Sequence, residues 1–139
     1  MNLRTLALST AVAACAAAVP AGIAHADMMG PVATMKDPAL GRVLATHAGK
    51  ALYVWNAEAP GKVRCVGRCA KVWPPLIVAS PKAVPMHVDG VMGDFGTIRR
   101  PDGRLQVTYN RRPLYTFRKD PKGVAKCNGV DRWFAVKAG

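Results

Sequence analysis

Leu52-Tyr53-Val54-Trp55-Asn56-Ala57-Glu58 and Leu114-Tyr115-Thr116-Phe117-Arg118-Lys119-Asp120 are the two stretches whose comparison decides the fold. Laid on itself at an offset of 62, the chain superposes them and carries Gly61 onto Gly123, Cys65 onto Cys127 and Gly67 onto Gly129. Upstream, Val43, Ala45, Thr46 and His47 fall on Leu105, Val107, Thr108 and Tyr109; downstream, Trp73 meets Trp133 once two residues are dropped from the second copy. Matches of rare residue types at one fixed shift indicate a duplicated supersecondary unit, over residues 40–79 and 95–138 with a linker at 80–94.

Each copy reads as a β-hairpin followed by a turn-rich crossover. Leu105, Val107 and Tyr109 alternate with Gln106, Thr108 and Asn110, the period-2 pattern of a half-buried strand, and Asn110-Arg111-Arg112 turns the chain into Pro113-Leu114. In the first copy Arg42 to His47, an Ala48-Gly49 turn and Ala51 to Trp55 play the same parts. Pro101-Asp102-Gly103 supplies a further turn, and only Arg64 to Val72 has room for a short helix before Pro74-Pro75. The expectation is a mainly β domain: two tandem hairpin-plus-crossover repeats packed as a small antiparallel sheet or sandwich. Leu52 to Trp55 is apolar on both faces and so belongs at the centre, with Tyr53, Trp55, Tyr115 and Phe117 as a core shared by the repeats. Burial of each such ring contributes about 2–3 kcal/mol; a ligand-stacking platform is the other reading of these rings.

Ahead of the repeats, Met1 to Arg4, an apolar run to Val19, Pro20 and Ala24-His25-Ala26 have the order of a secretory signal peptide cleaved after residue 26. The run is short of the roughly 20 residues that a membrane span demands. Val12-Ala13-Ala14-Cys15 offers a loose lipobox, which would make Cys15 an acylated first residue. Cleaved after Ala26, the chain keeps 113 residues, 19 Lys and Arg against 8 Asp and Glu, and a net charge of +11. Residues 27–39 are expected to form a flexible lead-in. An apolar fraction of 50% argues against disorder, and 13 scattered Gly exclude collagen.

Export places Cys65, Cys69 and Cys127 in an oxidising compartment where pairing is the default. The C-x3-C spacing allows a local bridge on one helical turn. Chain entropy favours a long one: closing about 60 residues to Cys127 contributes roughly 4 kcal/mol against roughly 2 for the short loop. Alternatively Cys65 and Cys69, with His87 or His47 and the chain's methionines, form a soft-ligand set suited to Cu(I). His47 aligns with Tyr109, which argues for a packing role. Glu58 and Asp120 invite an acid–base or metal reading, but Asp120-Pro121-Lys122-Gly123 fits a type I turn with Asp at its first position. No Ser/His/Asp order and no phosphate-binding glycine loop is present, so no enzyme is indicated.

Taken together, Tyr53-Val54-Trp55-Asn56-Ala57-Glu58, Tyr115-Thr116-Phe117-Arg118-Lys119-Asp120, Cys65-Val66-Gly67-Arg68-Cys69-Ala70 leading to Trp73-Pro74-Pro75-Leu76, and Arg100-Pro101-Asp102-Gly103 carry a resemblance. The chain resembles the bacterial secreted-repeat family of predicted lipoproteins marked by a Tyr-x-(Phe/Trp/Tyr)-x-x-Asp motif, from about Leu40 to Val136. It departs from that pattern in Glu58 for Asp, in the additional Cys127 and in its weak lipobox. The resemblance implies a Cys65–Cys69 pair, with Cys127 as the odd thiol, and brings no established activity.

Charge supplies the remaining lead. Arg99-Arg100, Arg104, Arg111-Arg112, Arg118-Lys119 and Lys122 crowd the second repeat. For an exported basic domain, anionic envelope polymers or lipid headgroups are expected as partners rather than nucleic acid. The sequence thus indicates a non-enzymatic envelope module without cofactor, the alternative being a thiol or copper redox protein using Cys65, Cys69 and His87.

Overall fold

The computed structural model describes residues 30–139. The signal peptide, its Ala26 boundary and Cys15 lie outside the described residues. Eight strands follow in order: β1 Ala33–Asp37, β2 Gly41–Ala45, β3 Tyr53–Trp55, β4 Ile77–Val78, β5 Phe95–Arg99, β6 Leu105–Tyr109, β7 Arg112–Pro113 and β8 Trp133–Ala135. One short α-helix, α1 Arg68–Val72, lies between β3 and β4, and a single 3-10 turn, Pro81–Ala83, lies in the connection between the repeats. All strand pairs are antiparallel: β1 with β2, β3 with β8, and β4, β5 and β7 each with β6. The mainly β, two-repeat architecture expected from the sequence is present, with its helix confined to Arg68–Val72 rather than reaching back to Arg64.

The segment expected to be a flexible lead-in is not one over its described part. Ala33–Asp37 pairs residue for residue with Gly41–Ala45, and Val32 is buried. Asp37 closes this hairpin: its Oδ1 accepts the Ala39 and Leu40 N–H groups at 2.8 Å, and Gly41 follows with a φ of +79° that glycine adopts without steric cost.

Neither repeat completes its own β structure. The Leu44 N–H bonds the Val136 carbonyl, the Val136 N–H bonds Leu52, and the Leu52 N–H bonds Leu44, a closed ring of three backbone bonds at 2.8–3.0 Å. Its counterpart runs from Val107 to Leu76, from Leu76 to Leu114 and from Leu114 back to Val107. Each ring takes two strands from one repeat and the last strand from the other. Between them, Tyr53 and Tyr115 exchange N–H and carbonyl bonds at 2.8 and 3.0 Å, so equivalent residues meet at a local two-fold.

These rings also fix the register of the duplication. Leu44 is equivalent to Val107, an offset of 63, because the first hairpin turns through Thr46–Lys50 whereas the second turns tightly at Asn110-Arg111, one residue shorter. The upstream pairing at offset 62 is therefore one residue out. His47 consequently has no counterpart in a strand; it lies exposed in the turn rather than at the packing position expected. Alternation misleads in β6 as well, since Gln106 and Thr108 are buried along with Val107.

Two apolar clusters result. One gathers Leu44, Leu52, Val107, Leu114 and Val136 around the backbone rings. The other holds the aromatic rings. Trp73 and Trp133 stack face to face on the local two-fold, 3.9 Å between centroids, while Trp55 stacks on Trp133 and Phe117 leans on Trp73. Tyr53 and Tyr115 meet Trp73 and Trp133 edge-on at 5.2 and 5.1 Å. The rings thus form a shared core, as expected, with Trp55 and Phe117 as its half-buried ends.

Candidate functional site

The motif residues are brought together across the repeats rather than within them. The Tyr53 hydroxyl donates to Oδ2 of Asp120 at 2.6 Å, and the Tyr115 hydroxyl donates to Oε1 of Glu58 at 2.7 Å. Each repeat thus supplies the tyrosine for the other's carboxylate, and all four residues are buried. The type I turn expected at Asp120 is displaced by one residue: Val124 N–H bonds the Pro121 carbonyl with Gly123 at φ +82°, matching Lys62 N–H to Ala59 with Gly61 at φ +75°. The carboxylates precede these turns and hold the loops that follow them.

The one-methylene difference between them has a visible consequence. Glu58 Oε1 reaches both the Arg64 and Cys65 N–H groups, at 2.8 and 2.9 Å. Asp120 reaches only Lys126, at 3.0 Å, and the Cys127 N–H bonds the Tyr53 hydroxyl at 3.3 Å instead. Burial, and then the neighbouring carboxylate that accepts each proton, push the Tyr53 and Tyr115 hydroxyls far above the usual phenol range.

Three further residues, given no interior role by the sequence, extend this network. Arg100 is buried, donating to Gln106 Oε1 at 2.7 Å and to the Cys65 carbonyl at 2.8 Å. Gln106 in turn donates to the Leu114 carbonyl. Asp37 Oδ2 accepts the Ala125 N–H at 2.8 Å. Burial works against the Asp37 charge, but its three backbone donors outweigh burial and hold the carboxyl below its ordinary range. The retention of a carboxylate in both copies, with Glu in one although Glu is no turn former, was the available signal that this position does more than turn the chain.

Cys65 and Cys69 form a disulfide, with Cα atoms 5.1 Å apart, and Cys127 is the free thiol among the described residues. The short loop thus prevails over the long bridge favoured by chain entropy. Burial, with the Asp120 and Asp131 charges, pushes the Cys127 thiol up, which suppresses the reactive thiolate. His87 is exposed in the inter-repeat connection, and Cys65 is fully buried with its sulfur bonded. Among the described residues, no three His, Cys, Asp or Glu side chains gather as a metal-binding group.

The profile of a family described as a secreted repeat of unknown function matches this sequence twice, over residues 34–77 and 96–137. The chain belongs to this secreted-repeat family. Its first repeat begins at residue 34 and therefore includes most of β1, which the limits drawn from internal similarity left out. No curated protein and no solved structure matches the chain. No helix among the described residues is long and apolar enough to cross a membrane.

Charge is sorted by depth. Of the seven Asp and Glu between residues 30 and 139, Asp37, Glu58 and Asp120 are buried in the interior network, whereas of nineteen Lys and Arg only Arg100 is buried. One of the four remaining carboxylates, Asp102, is held by Arg104 at 2.8 Å. Eighteen cations thus face four carboxylates outside, a surface balance of +14 against +12 for residues 30–139 as a whole.

Proposed function

We propose that this protein is a non-enzymatic binding module of the bacterial cell envelope, whose basic surface holds anionic envelope polymers or lipid headgroups. The observation that carries the reading is the sorting of charge: carboxylates are spent inside as hydrogen-bond acceptors while eighteen cations remain outside. Such a surface raises the local concentration of polyanions and steers their approach. The motif tyrosines and acids serve architecture in this reading, and the Cys65–Cys69 bridge staples the loop that Glu58 organises.

Export by the leader ending at Ala26 delivers the domain to the periplasm or beyond. Intact mass separates this from acylation at Cys15, since the two products differ by twelve residues as well as by acyl chains. Retention on immobilised lipopolysaccharide or on anionic vesicles, measured against salt, tests the binding role. Retention that weakens steadily as salt rises supports it, and retention indifferent to salt removes it.

A further inference from the structure

We propose that the outer edge of β5 is a docking strand for an extended acidic peptide segment of a partner protein. The inference rests on the reading that the basic surface recognises anionic partners, and it goes beyond it by naming a protein ligand and its register. β5 ends its sheet, paired only with β6. In this register Arg100 N–H bonds the Arg104 carbonyl and Asn110 N–H bonds that of Asp94, so the even-numbered residues face β6. The N–H and carbonyl groups of Thr97 and Arg99 point the other way, and among the described residues no backbone group meets them. An unpaired edge of this kind is a template for one more strand.

A trough lies beside this edge, over the sheet face that carries Ile98 of β5 and Thr108 of β6. One depression of about 230 Å³ is lined by Thr97, Ile98, Thr108, Gly61 and Arg111, and the next, about 430 Å³, shares Gly61 and Ile98 and adds Lys62, Val63 and Arg99. A third, about 310 Å³, continues past Arg100 and Pro101 to Lys71 and Arg104. The three lie in file, and a bound strand would pass Arg111, Lys62, Arg99, Arg104 and Lys71, against the single carboxylate of Asp102. The side chains of Lys62, Lys71 and Arg111 have no partner among the described residues. The lining contains no aromatic ring on which nucleic-acid bases would stack.

Arg111 occupies its place against local preference. It stands at φ +65° in the two-residue turn Asn110-Arg111, a position suited to glycine, and its carbonyl accepts the Gly61 N–H at 2.7 Å. Arg111→Gly therefore removes a trough cation while suiting the turn.

The test uses the exported chain and a capped hexapeptide of alternating Glu and Thr, its affinity read by calorimetry and its site by amide shifts. The expected result is binding that perturbs Thr97 and Arg99. Affinity falls between about twofold and thirtyfold in the Lys62→Gln/Arg111→Gly variant, the loss of two exposed ion pairs. It falls about tenfold when alternate peptide nitrogens on the docking side are methylated, the loss of strand hydrogen bonds. Lys36→Gln/Lys137→Gln, which removes the same charge elsewhere, leaves it within twofold. Equal loss in both variants, indifference to methylation, or a uronate tetrasaccharide that fills the trough when the peptide does not would each overturn the proposal. Should the peptide fail while salt-dependent retention on lipopolysaccharide persists, only the docking strand is refuted; failure of both refutes the basic-surface reading as well.

Discussion

Replacing each motif tyrosine by phenylalanine keeps ring packing and deletes one hydroxyl, and the two sites respond unequally. In Tyr115→Phe, Glu58 Oε1 loses its 2.7 Å donor but keeps the N–H groups of Arg64 and Cys65. A charge-assisted bond contributes about 1.5–3 kcal/mol, and the remaining donors put this loss near 2 kcal/mol. In Tyr53→Phe, Asp120 Oδ2 loses its hydroxyl donor and the Cys127 N–H loses its acceptor. With one buried and one part-buried group stranded, the cost is about 3 kcal/mol. Urea unfolding followed by tryptophan fluorescence measures both, since Trp73 and Trp133 lie in the shared core. The expected falls in Tm are about 8 °C and about 12 °C, at about 4 °C per kcal/mol for a domain of this size. A variant within about 0.5 kcal/mol of the parent would refute the crossed hydrogen bonds, being inside the range of an ordinary surface substitution. Tyr115→Phe costing more than Tyr53→Phe would refute the account of the methylene difference.

Further outcomes follow from the same contacts. The raised Tyr53 and Tyr115 values stabilise the fold below the unfolded phenol value of about 10 and cease to do so as pH rises above it. Absorbance at 295 nm will therefore show two of the three tyrosines ionising together with alkaline unfolding. Asp37, held low, contributes stability above its unfolded value of about 4 that is lost as pH falls below it. Asp37→Asn will flatten the acid limb of the stability profile measured by denaturant titration. Reduction of Cys65–Cys69 will cost about 2 kcal/mol, as for a loop of about five residues, in parallel unfolding curves with and without reductant. In the oxidised protein one thiol, Cys127, will react with a chromogenic disulfide, and slowly near neutral pH.

The duplication was legible because Tyr, Trp, Cys and Gly are rare enough for their recurrence at one shift to carry information. The aromatic core followed from it, since equivalent rings in a duplicated unit have the same need for burial. Partner choice was not legible. A period says that two units are alike, not that Val136 completes the junction of Leu44 and Leu52. Asp120-Pro121 looked like turn chemistry because composition is local, whereas the hydroxyl that claims Asp120 comes from Tyr53, 67 residues away. β1 escaped notice because its Ala-Thr-Met-Lys alternation is short and carries neither an aromatic nor a β-branched apolar residue. The cations of the trough lie at 62, 71, 99, 104 and 111, on separate stretches of the chain, and only folding puts them in line.

Cooperative interlocking of the two repeats is tested most directly by native-state hydrogen exchange at the amides of Tyr53 and Tyr115. Each of these amides bonds the other's carbonyl. Both are predicted to exchange only through global unfolding, with the same free energy and the same denaturant dependence. If either amide opens several kcal/mol below the global value while the other stays protected, the repeats unfold separately and the interlocked account is wrong.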